Sequence, residues 1–211
     1  MEYVVISGSP GIGKSKVLEA LSQANPHLRV GISHTTRPAR SEDSPDVHYH
    51  FVNREAFLQK IAQEEFLEYT LQGNTYYGTS WNEVTETPGE GISCVIFDVD
   101  VSGGLAIKRS LPNTTLIFLY APEDEIERRL RQREKDRMTE SEILFRLRKG
   151  KDELRIAQDS YDYIVRNENI ARCVKDITQI LNTSQNLGQV SRRIVHACRG
   201  QIFSRGISDP C

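Results

Sequence analysis

The chain has 211 residues, 38% of them hydrophobic and 27% charged, with a formal net charge of −2. That length suits one α/β domain with small inserted subdomains, and the near-neutral charge gives no general attraction to nucleic acid or to a membrane surface. The four cysteines form no C-x-x-C pair and no histidine cluster accompanies them, which argues against zinc.

In chain order, YVVIS (3–7) is a short apolar, β-branched run and predicts a buried strand. MEYVVISGSP lacks the cationic start and long apolar run of a signal peptide, and no apolar stretch approaches ~18 residues. The last four residues, SDPC, are not a prenylation box. These features predict a cytosolic chain with reduced thiols.

The strand runs into GSPGIGKS, Gly8 to Ser15, which fits G-x-x-x-x-G-K-[ST]. A helix follows in KSKVLEALSQA, where Val17, Leu18 and Leu21 recur at helical spacing. The spacing has a chemical reason. Glycines let backbone N–H groups turn inward around phosphate oxygens, lysine reaches the β and γ phosphates, and the hydroxyl can ligate Mg²⁺. The helix also points its positive dipole end at the anion. Gly8, Gly11, Ile12, Gly13, Lys14, Ser15 and Lys16 are therefore the expected cradle for a nucleotide, with Ser15 on the metal.

Residues 32–80 read differently, as strand-like pieces (HYHFV, EFLEYTLQ) around one small helix at 54–63. Their first part, SHTTRPAR, sets Arg37 and Arg40 in a small, polar run. CVIFDVD (94–100), TTLIFLYA (114–121) and YDYIVRN (161–167) resume the buried-strand pattern, with helical segments between them. That alternation predicts a parallel sheet covered on both faces. APEDEIERRLRQR opens a helix at Pro122 with acids in its first turn. TESE at Thr139 has the form of a capping box with Glu142. Between Glu127 and Lys151 stand ten Lys/Arg against five Asp/Glu, a basic arm on two helices. From Ser184 the composition turns to Gln, Asn, Ser, Gly and Arg, and 184–211 is expected to be a tail, disordered or a docking helix.

Taken in order, GSPGIGKS, SHTTRPAR, HYHFV, EFLEY, TYYGTS and FDVD resemble the guanylate kinase family from about Tyr3 to Leu181. The resemblance implies an α/β P-loop NTPase fold in three layers, with a central parallel sheet, a small β-containing GMP-binding insertion and a helical lid. It divides 1–183 into a core (1–31, 81–125 and 158–183), the insertion (32–80) and the lid (126–157). It implies a nucleoside monophosphate kinase: ATP as donor with Mg²⁺, GMP and dGMP as acceptors, no nucleic-acid or membrane partner, and a monomer or dimer.

By the same resemblance Arg37, Arg40, Tyr49 and Tyr77 hold the acceptor phosphate. An arginine fork suits a phosphate dianion, and phenols add neutral donors. Ser33 lines the guanine pocket. Glu68 accepts from guanine N1–H and the exocyclic amine, a pairing adenine cannot offer. Thr79 and Asp100 neighbour the base, and Asp98 lies near the magnesium and phosphates. On the donor side the family pattern matches Arg133 and Arg146 as lid arginines acting with Lys14 and Arg40 in catalysis, Arg129 at the base of the lid, and Asn167 with Glu168 at the adenine. Cations over the migrating group and a dry site are what phosphoryl transfer needs.

The chain departs from the pattern in several places. The loop reads GSPG rather than GPSG, Lys16 replaces threonine, and Ser41-Glu42-Asp43 replaces Pro-Gly-Glu. His48 stands for Asp and Ser102 for Gln. The arm between Arg133 and Arg146 is longer than usual, so Arg131 or Arg137 could take the place of Arg133. Two other readings share parts of the pattern. One is a catalytically silent, protein-binding relative, which would usually lose the loop lysine or lid arginines. The other is a kinase of another phosphorylated acceptor, such as a ribose phosphate.

Overall fold

The computed structural model describes residues 1–40, 43–44, 49–86, 89–133 and 138–184, with Arg133 and Ser184 described by their backbone alone. The expectations for the Arg133 side chain, for Arg137, for Ser41, Glu42 and His48, and for the tail beyond Ser184 lie outside the described residues.

The strands are β1 (Glu2–Gly8), β2 (Leu28–Val30), β3 (Ser33–Thr35), β4 (Tyr49–Phe51), β5 (Phe66–Gln72), β6 (Thr75–Ser80), β7 (Cys94–Asp98), β8 (Thr115–Tyr120) and β9 (Tyr163–Arg166). The helices are α1 (Lys14–Ala24), α2 (Arg54–Ala62), α3 (Asn82–Thr85), α4 (Val101–Ser110), α5 (Glu123–Arg133), α6 (Glu140–Ser160) and α7 (Ile170–Ser184). A five-stranded sheet is ordered β2-β7-β1-β8-β9 and a four-stranded sheet β4-β3-β6-β5. No helix among the described residues is long and apolar enough to cross a membrane. The described residues divide into two compact units: those of Met1–Ser7 with Ser22–Thr115, and those of Gly8–Leu21 with the described residues from Leu116 onward.

In the first unit β1 and β2 both pair in parallel with β7, with Glu2 and Leu28 opposite Cys94. Val4, Val5 and Ile6 of β1 and Cys94 to Phe97 of β7 are all buried, without alternation. Strands covered on both faces take this continuous apolar form. The four-stranded sheet is mixed: β3 runs parallel to β4 and antiparallel to β6, and β5 runs antiparallel to β6. Helix α2 is capped by Asn53, whose side chain accepts from the Ala56 N–H. It is fastened by Phe57, fully buried and stacked on Phe66 at 4.5 Å and Tyr76 at 5.1 Å. The β5–β6 hairpin turns on Gly73-Asn74, with Gly73 at φ 59°, the left-handed backbone a two-residue loop asks of its first residue.

A register shift between Phe66 and Glu68 marks a bulge in β5, and Phe66, Leu67 and Glu68 are all buried. A bulge breaks the in–out alternation of a strand and re-aims a side chain. This one turns a carboxylate inward.

In the second unit β8 and β9 pair in parallel, Ile117 opposite Tyr163 through Tyr120 opposite Arg166. Leu116, Ile117, Phe118 and Leu119 are fully buried, so truncating one of them would cost about 2–5 kcal/mol. Helices α5 and α6 pack on each other and bury Ile126, Leu130, Ile143 and Leu147. The capping box forms as expected: the Thr139 hydroxyl accepts from the Glu142 N–H, and the Glu142 carboxylate accepts from the Thr139 N–H.

Candidate active site

The residues expected to hold the donor nucleotide lie in the second unit. β1 ends at Gly8 and α1 begins at Lys14, so the phosphate-loop sequence spans the turn between them. The turn is closed by a hydrogen bond from Ile12 N–H to Ser9 O at 3.0 Å. Gly11 and Gly13 have φ of 86° and 87°, where an L side chain is strained. A Cβ on Gly11 would also lie 2.7 Å from Leu130, and one on Gly8 would lie 2.9 Å from the Leu119 carbonyl. Ser15 and Lys16 are exposed in the first turn of α1, where orphan N–H groups and the helix dipole favour an anion.

Arg129 of α5 reaches this loop. Its guanidinium donates to Ile12 O at 2.9 Å and to Asn167 O at 2.9 Å, and its Nε donates to Glu125 at 2.7 Å. Asn167 is 1% exposed and donates through Nδ2 to the same Ile12 carbonyl at 2.7 Å. Its Oδ1 has no hydrogen-bond partner among the described residues. Glu168 is paired with Arg166. Arg146 is half-buried on α6, one turn beyond Glu142. Arg131 is bound by two carboxylates, Glu127 at 2.7 Å and Glu140 at 2.7 Å, and so ties α5 to the start of α6.

The residues expected to hold the acceptor lie in the first unit. Glu68 is 6% exposed. Its Oε1 accepts from the Thr79 N–H at 3.1 Å and the Thr79 hydroxyl at 2.8 Å. Since that hydroxyl has one proton and gives it to Glu68, Ser33 donates to Thr79 across their 3.3 Å contact. Burial pushes the Glu68 carboxyl up to about 7; the Thr79 hydroxyl opposes this and the nearby Asp100 charge adds to it. Asp100 caps α4, its Oδ1 accepting from Gly103 N–H at 2.8 Å, and its Oδ2 accepts from the Gln72 amide at 3.0 Å. Ser33, Thr79 and Glu68 thus form one hydrogen-bonded chain, with Asp100 close enough for its charge to act on Glu68.

A second cluster adjoins it in sequence. Arg37 lies 5.4 Å from the Tyr49 ring centre and 5.5 Å from that of Phe51, and the rings of Tyr49 and Tyr77 meet edge-on at 6.1 Å. The Tyr49 hydroxyl is held protonated, pushed upward by burial and by the charge of Asp98. Thr35 Oγ1 accepts from the Arg37 N–H at 3.1 Å and shapes the bend. Arg37 has an internal counter-ion, Asp43, at 2.8 Å, and Asp43 also accepts from the Arg40 N–H at 2.7 Å. The Arg40 side chain is exposed.

Three participants escaped the sequence reading. Asp43 was visible only as a shortened acid. Gln72 shares the Glu68 strand, but nothing in its spacing points to Asp100. Gly103 is required because a Cβ there would lie 2.8 Å from Glu68 Oε2. Only the folded contact reveals that need.

Comparison with known proteins shows the family. The family profile described as guanylate kinase matches residues 1–184. The guanylate kinase of Neisseria meningitidis serogroup A is 37% identical over 179 residues, covering 84% of this chain and 85% of that protein. That of Aliivibrio fischeri is 35% identical over 184 residues, covering 86% and 87%. The crystal structure of guanylate kinase from Anaplasma phagocytophilum superposes with a TM-score of 0.67 over 88% of this chain and 86% of that one, at 24% identity, a likeness of fold. With the profile spanning nearly every described residue, the chain belongs to the guanylate kinase family.

Proposed function

We propose that this chain transfers the γ-phosphoryl group of ATP to GMP, and to dGMP, giving ADP and GDP or dGDP. The observation that carries the acceptor assignment is Glu68. It is buried and bulge-aimed, with one oxygen held by Thr79 and the other accepting no hydrogen bond among the described residues. An ionised carboxylate there accepts from guanine N1–H and N2–H; adenine offers no such pair of donors. Asp100, held by Gln72 and Gly103, borders the same base, and Ser33 completes the pocket. Arg37, Arg40, Tyr49 and Tyr77 receive the acceptor phosphate. Asp98 at the end of β7 adds a carboxylate near the phosphates.

On the donor side, Gly8, Gly11, Ile12, Gly13, Lys14, Ser15 and Lys16 cradle the ATP phosphates. Asn167 and Glu168 border the adenine. Mg²⁺ prefers oxygen ligands and travels with phosphates, and the exposed Ser15 hydroxyl is such a ligand. When bound, the ion would neutralise phosphate charge. Arg133 and Arg146 would stabilise the migrating group and Lys14 would hold it in line. No general base is needed, because an acceptor phosphate oxygen is already ionised near neutral pH.

The test is ADP release measured across GMP, dGMP, AMP, CMP and UMP. The expected result is turnover with GMP and dGMP that exceeds the other three by at least about 100-fold. No GMP-dependent turnover, or equal rates on all five, would overturn the reading.

A further inference from the structure

The back of the phosphate loop is gripped by the two helices that carry the basic arm. At its far end, the Ile12 carbonyl accepts from Arg129 of α5 at 2.9 Å and from Asn167 at 2.7 Å. At its near end, α6 lies against Ser9. The Ser9 hydroxyl donates to the Gly150 carbonyl at 3.4 Å, and Ser9 is 4% exposed. A Cβ built on Gly150 would stand 3.0 Å from both Cβ and Oγ of Ser9. Ser9 and Ile12 are the two ends of the same hydrogen-bonded turn, Ile12 N–H to Ser9 O at 3.0 Å.

Gly150 sits in the middle of α6, Glu140–Ser160, where glycine is disfavoured against alanine. Its φ is not positive, so no backbone strain demands it. The close approach of Ser9 does. We propose that α5 and α6 set the shape of the phosphate loop from behind, through Arg129 on Ile12 and Gly150 on Ser9. Gly150 is a positioning residue for the donor nucleotide. It touches no substrate. It lets α6 seat on the turn whose N–H groups must face inward.

This inference rests on the donor-site assignment made above. The test is Gly150→Ala in the full chain. The KM for ATP rises about 5- to 20-fold as the new methyl displaces Ser9, while the KM for GMP stays within about twofold. Adding Ser9→Gly removes both 3.0 Å contacts, leaving the residue 9 Cα at 3.9 Å from the new Cβ, and restores ATP use. Ser9→Thr enters the same gap from the loop side with α6 intact, and reproduces the ATP-selective loss. Amide exchange without nucleotide gives a readout apart from activity: Arg129→Met and Gly150→Ala both speed exchange at Gly13 to Lys16 and leave β1 unchanged. An unaffected KM for ATP in Gly150→Ala and Ser9→Thr, an equal loss for GMP, failure of Ser9→Gly to rescue, or unchanged exchange overturns the inference. A wild-type chain without GMP-dependent turnover instead refutes the functional assignment itself.

Discussion

Glu68 sits where burial and the charge of Asp100 oppose its ionisation, while guanine requires it ionised. Protons and GMP therefore compete. With the carboxyl near 7, the KM for GMP falls as pH rises from about 6 to about 8, and steady-state kinetics on both substrates shows the KM for ATP without that slope. The linked stability has the opposite sign. The folded chain binds this proton more tightly than the unfolded chain does, so the Glu68 contribution is fully present below its ordinary 4.5. It is lost as pH rises through about 7. Glu68→Gln removes both slopes and raises the KM for GMP by about 10- to 100-fold with ATP binding intact, the scale of a lost charge-assisted pair. Equal loss of both substrates would indicate misfolding. Asp43 is the second residue at this scale. It holds Arg37 and the backbone of Arg40 together, so Asp43→Asn frees the fork and raises the KM for GMP about three- to tenfold. A fall in that KM would mean that Asp43 competes with the ligand.

At the scale of elements, two helix starts carry separable roles. Thr139 only caps α6, and Thr139→Ala lowers stability by about 1 kcal/mol, or a midpoint shift of about 2–4 °C, read by thermal unfolding with kinetics little changed. Gly103 begins α4 under the Glu68 carboxylate, 2.8 Å from any added Cβ. Gly103→Ala displaces that carboxylate and raises the KM for GMP with the KM for ATP unchanged. The capping box was legible because its residues are adjacent and the interaction is local. β1, β7, β8 and β9 were legible as apolar runs. β2 was not, because Leu28–Val30 is three residues long and owes its strand form to pairing with β7. The bulge at Phe66–Glu68 was not legible either; EFLEY reads as a strand-like piece, and its adjacent Phe66 and Leu67 do not say that Glu68 turns inward.

At the scale of the molecule, the residues proposed for acceptor and for donor fall in different compact units. Hydrogen exchange checks this division directly. GMP alone protects amides at 33–37 and 68–79, and ATP with Mg²⁺ protects 9–16 and 167–168. Each ligand also raises stability, by about 2.7 kcal/mol at a hundred times its Kd. In Glu68→Gln the GMP increment disappears and the ATP increment remains.

What the sequence determined by itself were the features written in adjacent residues. They are the phosphate loop with its strand and helix, the buried strands, the caps, and the ordered motifs that identify the family. Tertiary structure alone decided the partnerships of residues far apart in the chain. Asp43 neutralises Arg37, Gln72 steadies Asp100, Gly103 makes room for Glu68, and Arg129 turns to the Ile12 carbonyl. Local motifs follow from backbone geometry over a few residues. A counter-ion or a close approach depends on which surfaces the fold brings together, as it does Gly150 and Ser9, where an added Cβ would stand 3.0 Å away, and one-dimensional spacing does not encode that distance.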